Sequence, residues 1–139
     1  MNDHRLAKQL IQDEGLRLSP YRCTAGKLTI GVGRNLDDRG ITEAEAMMLL
    51  GNDIKRVWSE LVLSLPWVMD APEDVQEVLA NMCFNLGLSG LLKFKQTLGY
   101  LEAGEYRKAS EEMIRSTWAK QVGQRAVRLS ARIAALEHG

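Results

Sequence analysis

Apolar residues recur with a helical period along most of this chain, and one early stretch breaks that period. Leu6, Leu10 and Ile11 share a face, and Arg5, Lys8, Gln9, Gln12 and Asp13 fill the rest, a spacing that predicts an amphipathic helix. Gly15, just after Glu14, is its stop. Pro20 cannot continue a helix and biases Ser19 to extended geometry. Tyr21 to Cys23 and Lys27 to Ile30 are then short, partly alternating runs around Thr24-Ala25-Gly26, which predicts a hairpin. Gly31 and Gly33 bracket Val32 and imply a bend or a close backbone approach. Asn35, Asp37, Asp38 and Gly40 read as turn residues, with a third short strand near Arg34 to Leu36.

Helical spacing then resumes. Thr42-Glu43-Ala44-Glu45 has capping-box form and opens a long helix. Its apolar stripe runs from Ala46, Met47, Leu49 and Leu50 through Ile54, Val57, Trp58, Leu61 and Val62 to near Leu63, with Gly51-Asn52 as a bending point and Pro66 as its end. Asp70-Ala71-Pro72 starts the next helix, where proline is tolerated and Glu73 and Asp74 suit the positive dipole end. Val75, Val78, Leu79, Met82, Cys83 and Leu86 make it the most buried one, and Gly87 terminates it. Leu91 to Leu101, Tyr106 to Ile114 and Arg125 to Leu136 are three further helical segments, separated by Gly104 and by the Trp118 to Gly123 region. The fold class expected is α+β and mostly helical. A small N-terminal β-hairpin or sheet lobe and a larger helical lobe are joined by a long helix, and a cleft between lobes is a natural ligand site.

With 139 residues the chain fits a single domain spanning 1–139. Its formal charge of zero excludes a global field drawing it to nucleic acid or an anionic membrane. From Tyr106 onward seven Lys and Arg face three Glu, a basic bias that reads first as a solvated helix face. Cys23 and Cys83 do not make a secreted disulfide framework. Two His without a Cys-x-x-Cys give no zinc spacing, so no metal and no cofactor are expected. The N-terminus lacks the apolar core of a signal peptide, and no stretch approaches the ~20 apolar residues of a membrane span. The expectation is a monomer held in a reducing cytoplasm, without membrane insertion.

The chemistry-bearing residues cluster in the early stretch. Glu14 sits in a last helical turn, at the negative end of the dipole, where a carboxylate is disfavoured and a proton donor is at home. A surface glutamate at a frayed helix end is the bland alternative. The hairpin folds back between Glu14 and Thr29, so Glu14, Cys23 and Thr29 can line one side of a cleft. Cleaving a glycosidic bond needs a proton donor and a group on the opposite face that attacks or steers water, and both are usually carboxylates. Asp13 points elsewhere on the helix, and Asp37 and Asp38 lie in a turn-rich loop.

Glu14, Gly15, Arg17, Leu18, Tyr21, Gly26, Thr29, Ile30, Gly31 and Gly33 match a signature. That signature resembles the catalytic segment of the T4-type phage lysozymes, the endolysin glycoside hydrolases. The family pattern is a Glu, eight residues, an Asp, five residues and a Thr; here Cys23 stands at the Asp position with the same spacing. The likeness continues through Asn81 to Gly87, Phe94, Trp118 and Arg125-Ala126, nearly the whole chain. It implies a two-lobed lysozyme-like fold and an endolysin of phage or prophage origin. The enzyme would hydrolyse the β-1,4 bond between N-acetylmuramic acid and N-acetylglucosamine in peptidoglycan and lyse the host. By the same resemblance Glu14 is the general acid, Thr29 helps hold the attacking water and Arg125 supports the glutamate. Phe84 and Asn85, at the end of the buried helix, are candidate saccharide contacts. A holin is implied as the partner that lets the enzyme out of the host cytoplasm to the wall in the periplasm.

Cys23 is the departure. A thiol titrates near pH ~8.5 and is mostly neutral at pH 7 unless a neighbour such as Arg22 or Lys27 lowers it. A thiolate attacks strongly or stabilises positive charge. A Glu-to-Cys gap of about 5 Å fits direct attack, and one of about 6.5 Å or more fits a water-mediated, inverting course. Two other readings stand beside hydrolysis: a lytic transglycosylase on the same bond, and a catalytically silent peptidoglycan-binding module. Cys83, on the apolar stripe, reads as core, and Trp58, Trp67 and Trp118 read as packing residues.

Overall fold

A computed structural model describes residues 1–138. Helix α1 covers Asp3–Glu14, with the Asn2 side chain accepting from the Arg5 N–H and Gly15, at φ 81°, closing the other end on the Ile11 carbonyl. Strands β1 (Arg17–Arg22), β2 (Leu28–Gly31) and β3 (Arg34–Asn35) form an antiparallel sheet in the order β1-β2-β3. The register sets Tyr21 opposite Thr29 and Thr29 opposite Asn35. β1 begins earlier than the pattern predicts and contains Pro20. As an edge strand with a register irregularity between Arg17 and Tyr21, it tolerates a residue without an N–H.

Helix α2 (Leu36–Arg39) replaces the loop expected there. Its N-cap Asn35 accepts from the Asp38 N–H, and the acidic residues that resemble a turn sit in its first turn. Helix α3 runs Glu43–Ser64 and stays helical through Gly51 and Asn52. The capping box forms as its residues predict: the Thr42 hydroxyl accepts the Glu45 N–H at 3.1 Å, and Glu45 Oε1 accepts the Thr42 N–H at 2.8 Å. The chain divides into two compact units, and the division falls inside α3, between Leu49 and Leu50.

In the second unit a 3₁₀ turn (Pro66–Asp70) leads into α4, Glu73–Leu92. Gly87 takes φ 77° and interrupts α4 where a stop is expected, but helix resumes to Leu92. The following α5 therefore begins later than predicted, at Lys95, and ends at Glu102. Then come α6 (Tyr106–Arg115), α7 (Thr117–Val122), α8 (Gln124–Ala134) and a 3₁₀ turn, Ala135–His138. Val75, Val78, Leu79, Met82 and Cys83 of α4 are all buried, a stripe at helical spacing. Ala109 and Met113 of α6 and Ala126, Leu129 and Ile133 of α8 join the same core. On its rim Arg132 of α8 donates to Asp74 (2.6 and 3.0 Å) and Glu77 (2.8 Å) of α4. The chain is thus α+β and mostly helical, as the pattern predicts.

Candidate active site

The first unit carries Glu14, Cys23 and Thr29. Cys23 follows β1 directly, and the turn after it is closed by its carbonyl, which accepts the Gly26 N–H at 2.8 Å. Its own N–H donates to the Lys27 carbonyl at 2.9 Å. That carbonyl also accepts the Thr29 hydroxyl at 2.8 Å. One backbone oxygen therefore ties the thiol-bearing residue to the hydroxyl-bearing one. Thr29 is buried, and with its proton on Lys27 it offers lone pairs to any neighbour.

Glu14, the last residue of α1, is exposed, and its carboxylate lies over the β2–β3 turn. A Cβ built on Gly33 would stand 3.1 Å from Glu14 Oε2 and 3.3 Å from its carboxyl carbon. Gly33, at φ 69°, is thus the close approach its spacing suggests.

The Cys23 thiol is held below the ordinary thiol range. The main cause is the Lys27 backbone N–H, then that of Ala25, both turned toward the sulfur; partial desolvation opposes them. The charged side chains expected to act on it are engaged elsewhere: Arg22 Nη1 lies 3.6 Å from Asp37, and Lys27 Nζ lies 3.3 Å from Asp38. Backbone dipoles, which no charge pattern displays, supply the effect instead. Cys83 shows the opposite behaviour, because burial pushes its thiol up. Around the site, Arg34 of β3 grips Glu45 of α3 with two bonds of 2.8 and 2.7 Å and reaches the Gly40 carbonyl at 3.2 Å. Arg34 and the Thr42 N–H hold the Glu45 carboxyl down at about 2.

In the second unit Arg125 Nε donates to Asn81 Oδ1 at 2.9 Å. Both line a groove of about 540 Å³ whose walls include Ile54, Trp58, Ala80 and Phe84. Phe84 is exposed there, as a ligand contact would need to be. Asn85 has a structural partner: its Oδ1 accepts the buried Trp118 indole N–H at 2.8 Å, leaving its amide N–H groups for other contacts. Trp118 packs edge-on against Phe94, and Trp58 and Trp67 pack on the core, in keeping with their reading as packing residues. Among the described residues no group of three or more His, Cys, Asp or Glu could hold a metal. No helix among them is long and apolar enough to cross a membrane.

Residues 11–135 match the family model for phage lysozyme. The chain belongs to the phage lysozyme family. It is 31% identical over 116 residues to an endolysin of Acyrthosiphon pisum secondary endosymbiont phage 1, a match covering 81% of this chain and 77% of that protein. A probable T4-type lysozyme of Dictyostelium discoideum is 27% identical over 147 residues, 84% of this chain and 86% of the other. The SAR-endolysin of Escherichia phage Mu is 34% identical over 115 residues, 81% of this chain and 66% of that protein. Family membership makes the chain a lysozyme-type glycosidase that acts on the bacterial cell wall. In this lysozyme the sequence pattern singles out Glu14, Cys23 and Thr29 as candidates and misses the contacts around them. The Lys27 carbonyl and Asp37, which accepts the Leu28 N–H at 2.8 Å, are backbone-directed contacts that no motif marks.

Proposed function

We propose that this lysozyme hydrolyses the β-1,4 bond between N-acetylmuramic acid and N-acetylglucosamine in peptidoglycan, with Glu14 as general acid and Cys23 and Thr29 completing the site. The observation that carries this reading is the shared Lys27 carbonyl, which holds Cys23 and Thr29 together in the unit that seats the Glu14 carboxylate on Gly33. Glu14 gives its proton to the leaving glycosidic oxygen as the bond to the anomeric carbon breaks. The Cys23 sulfur, its thiol lowered from the ordinary value by backbone N–H groups, faces the positive charge that develops on the sugar. It either attacks the anomeric carbon or steers a water that Thr29 helps hold. The first course gives net retention after a water displaces the sulfur; the second gives inversion.

Arg125 is the supporting residue in this reading, its guanidinium oriented by Asn81, and Phe84 and Asn85 contact saccharide. The enzyme works as a monomer without metal or cofactor. It waits in the host cytoplasm and acts on the wall in the periplasm after a holin permeabilises the membrane.

Digestion of purified peptidoglycan by wild type, Glu14→Gln, Cys23→Ala and Cys23→Asp tests the reading, with products weighed by mass spectrometry. Hydrated, reducing muropeptides from wild type are expected, a loss of roughly a hundredfold or more in Glu14→Gln and Cys23→Ala, and substantial activity in Cys23→Asp. Anhydro products surviving Cys23→Ala would establish a lytic transglycosylase, and wall binding without products would establish a binding module. An unchanged rate in Cys23→Ala removes the thiol from the mechanism.

A further inference from the structure

The Lys27–Leu28 peptide group is gripped from both sides. Its carbonyl accepts the Cys23 N–H at 2.9 Å and the Thr29 hydroxyl at 2.8 Å. Its N–H donates to Asp37 Oδ2 at 2.8 Å, a carboxylate on α2 nine residues further along the chain. We propose that Asp37 is a positioning residue that sets the plane of this peptide and, through it, the placement of the Cys23 sulfur relative to the Thr29 hydroxyl. This rests on the assignment of Cys23 and Thr29 to the reaction site.

A peptide group is planar, so fixing the direction of its N–H fixes the direction of its carbonyl. If the plane turned, the carbonyl would swing away from the Cys23 N–H and the Thr29 hydroxyl together. The short helix that carries Asp37 is capped from β3, the neighbour of β2 in the sheet. Asn35, the sheet partner of Thr29, accepts the Asp38 N–H at 3.0 Å and donates to the Asp38 carboxylate at 2.9 Å. The rival role for Asp37 is its ion pair with Arg22. That pair is 3.6 Å long with side chains 67% and 44% exposed, a geometry in which water screens most of the attraction. The Leu28 bond is the shorter and better directed of the two.

Three variants separate position from charge. Asp37→Asn keeps an oxygen where the Leu28 N–H points and removes the charge. Asp37→Glu keeps the charge and the helix-dipole match but moves the carboxylate by one methylene. Asp37→Ala removes both. Each is read by kcat and KM for wall digestion and by the pH profile of iodoacetamide alkylation at Cys23, with Cys23→Ala giving the background from buried Cys83. Asp37→Ala and Asp37→Glu should lose about tenfold to a hundredfold in kcat, as a misplaced reacting group does, with KM changed by less than about threefold. Their Cys23 alkylation midpoints should rise. Asp37→Asn should stay within about threefold of wild type in kcat and keep its alkylation profile. If Asp37→Ala does not fold, the contrast between Asn and Glu carries the test. Asn worse than Glu would make the Arg22 charge pair the important contact, and wild-type behaviour in all three would remove any role; either overturns the proposal. Alkylation is read independently of turnover. A Cys23 with no part in the reaction is shown by Cys23→Ala, and an Asp37 with no hold on Cys23 by the midpoint.

Discussion

Replacing Gly33 with alanine tests whether the Glu14 carboxylate is seated for reaction or merely resting on the surface. Two costs follow from the structure. Gly33 has φ 69°, a left-handed conformation that charges an alanine about 1–2 kcal/mol. The new methyl would also stand 3.1 Å from Glu14 Oε2 and 3.3 Å from two carbons of that side chain, where ordinary contact starts at 3.4 Å. The carboxylate must therefore retreat by a few tenths of an ångström. A misplacement of about 1 Å can cost about a hundredfold in rate, so this retreat corresponds to about a tenfold fall in kcat, with KM little changed. The backbone cost should lower Tm by roughly 3 to 10 °C. Gly104→Ala is the control: φ is 75° and its methyl would meet nothing closer than the Tyr106 hydroxyl at 3.9 Å. It should show the stability loss and keep wild-type kcat. Wall clearing with calorimetry on the same preparations measures both quantities. Gly33→Ala destabilised to that extent yet within twofold of wild-type kcat would refute the seating of Glu14 on this turn.

Acid should loosen the first unit through Glu45. Its folded carboxyl titrates at about 2, against 4.5 for the free group, so the Arg34 grip stabilises above pH 4.5 and is lost as pH falls toward 2. Glu45→Gln should flatten that stretch of the stability profile in chemical denaturation, and an unaltered slope would assign the acid response elsewhere. Asn85→Ala leaves the buried Trp118 indole N–H without its acceptor and should cost about 1–3 kcal/mol, read by denaturation and by a shift in tryptophan emission. Fluorescence and stability both unchanged would show that the bond carries no net stability. Cys23 should alkylate below the pH at which an ordinary cysteine does, because the Lys27 and Ala25 N–H groups favour its thiolate. A midpoint at or above the ordinary thiol value contradicts those contacts.

The parts of this fold written in local contacts were readable from the residues alone. The capping box at Thr42 and Glu45 is complete within four residues, and it forms. Cys83 lies on the apolar stripe of α4 and is buried. Helix α2 was hidden because Asn35, Asp37 and Asp38 suit a cap and a turn equally well, and only the Asn35–Asp38 bonds decide between them. Helix α7 was hidden for a similar reason: six residues carry too little periodicity, and the Ser116 cap that starts it resembles any loop serine. Glu14, Cys23 and Thr29 were singled out through the resemblance, whereas the contacts around them were not legible. The lowering of the Cys23 thiol comes from backbone N–H groups, and a residue string records side chains, not the direction in which an amide points.

One consequence of Pro20 concerns the molecule in company rather than alone. β1 is an outer strand of the sheet, and Leu16 and Leu18 beside Pro20 are 59% and 84% exposed. An outer strand with such residues invites another chain to extend the ladder, the first step of strand-to-strand polymerisation. Pro20 has no proton to offer an incoming carbonyl, and the irregularity between Arg17 and Tyr21 bends the strand where a neighbour would need it flat. Along the β1 border both features disfavour the addition of a further strand.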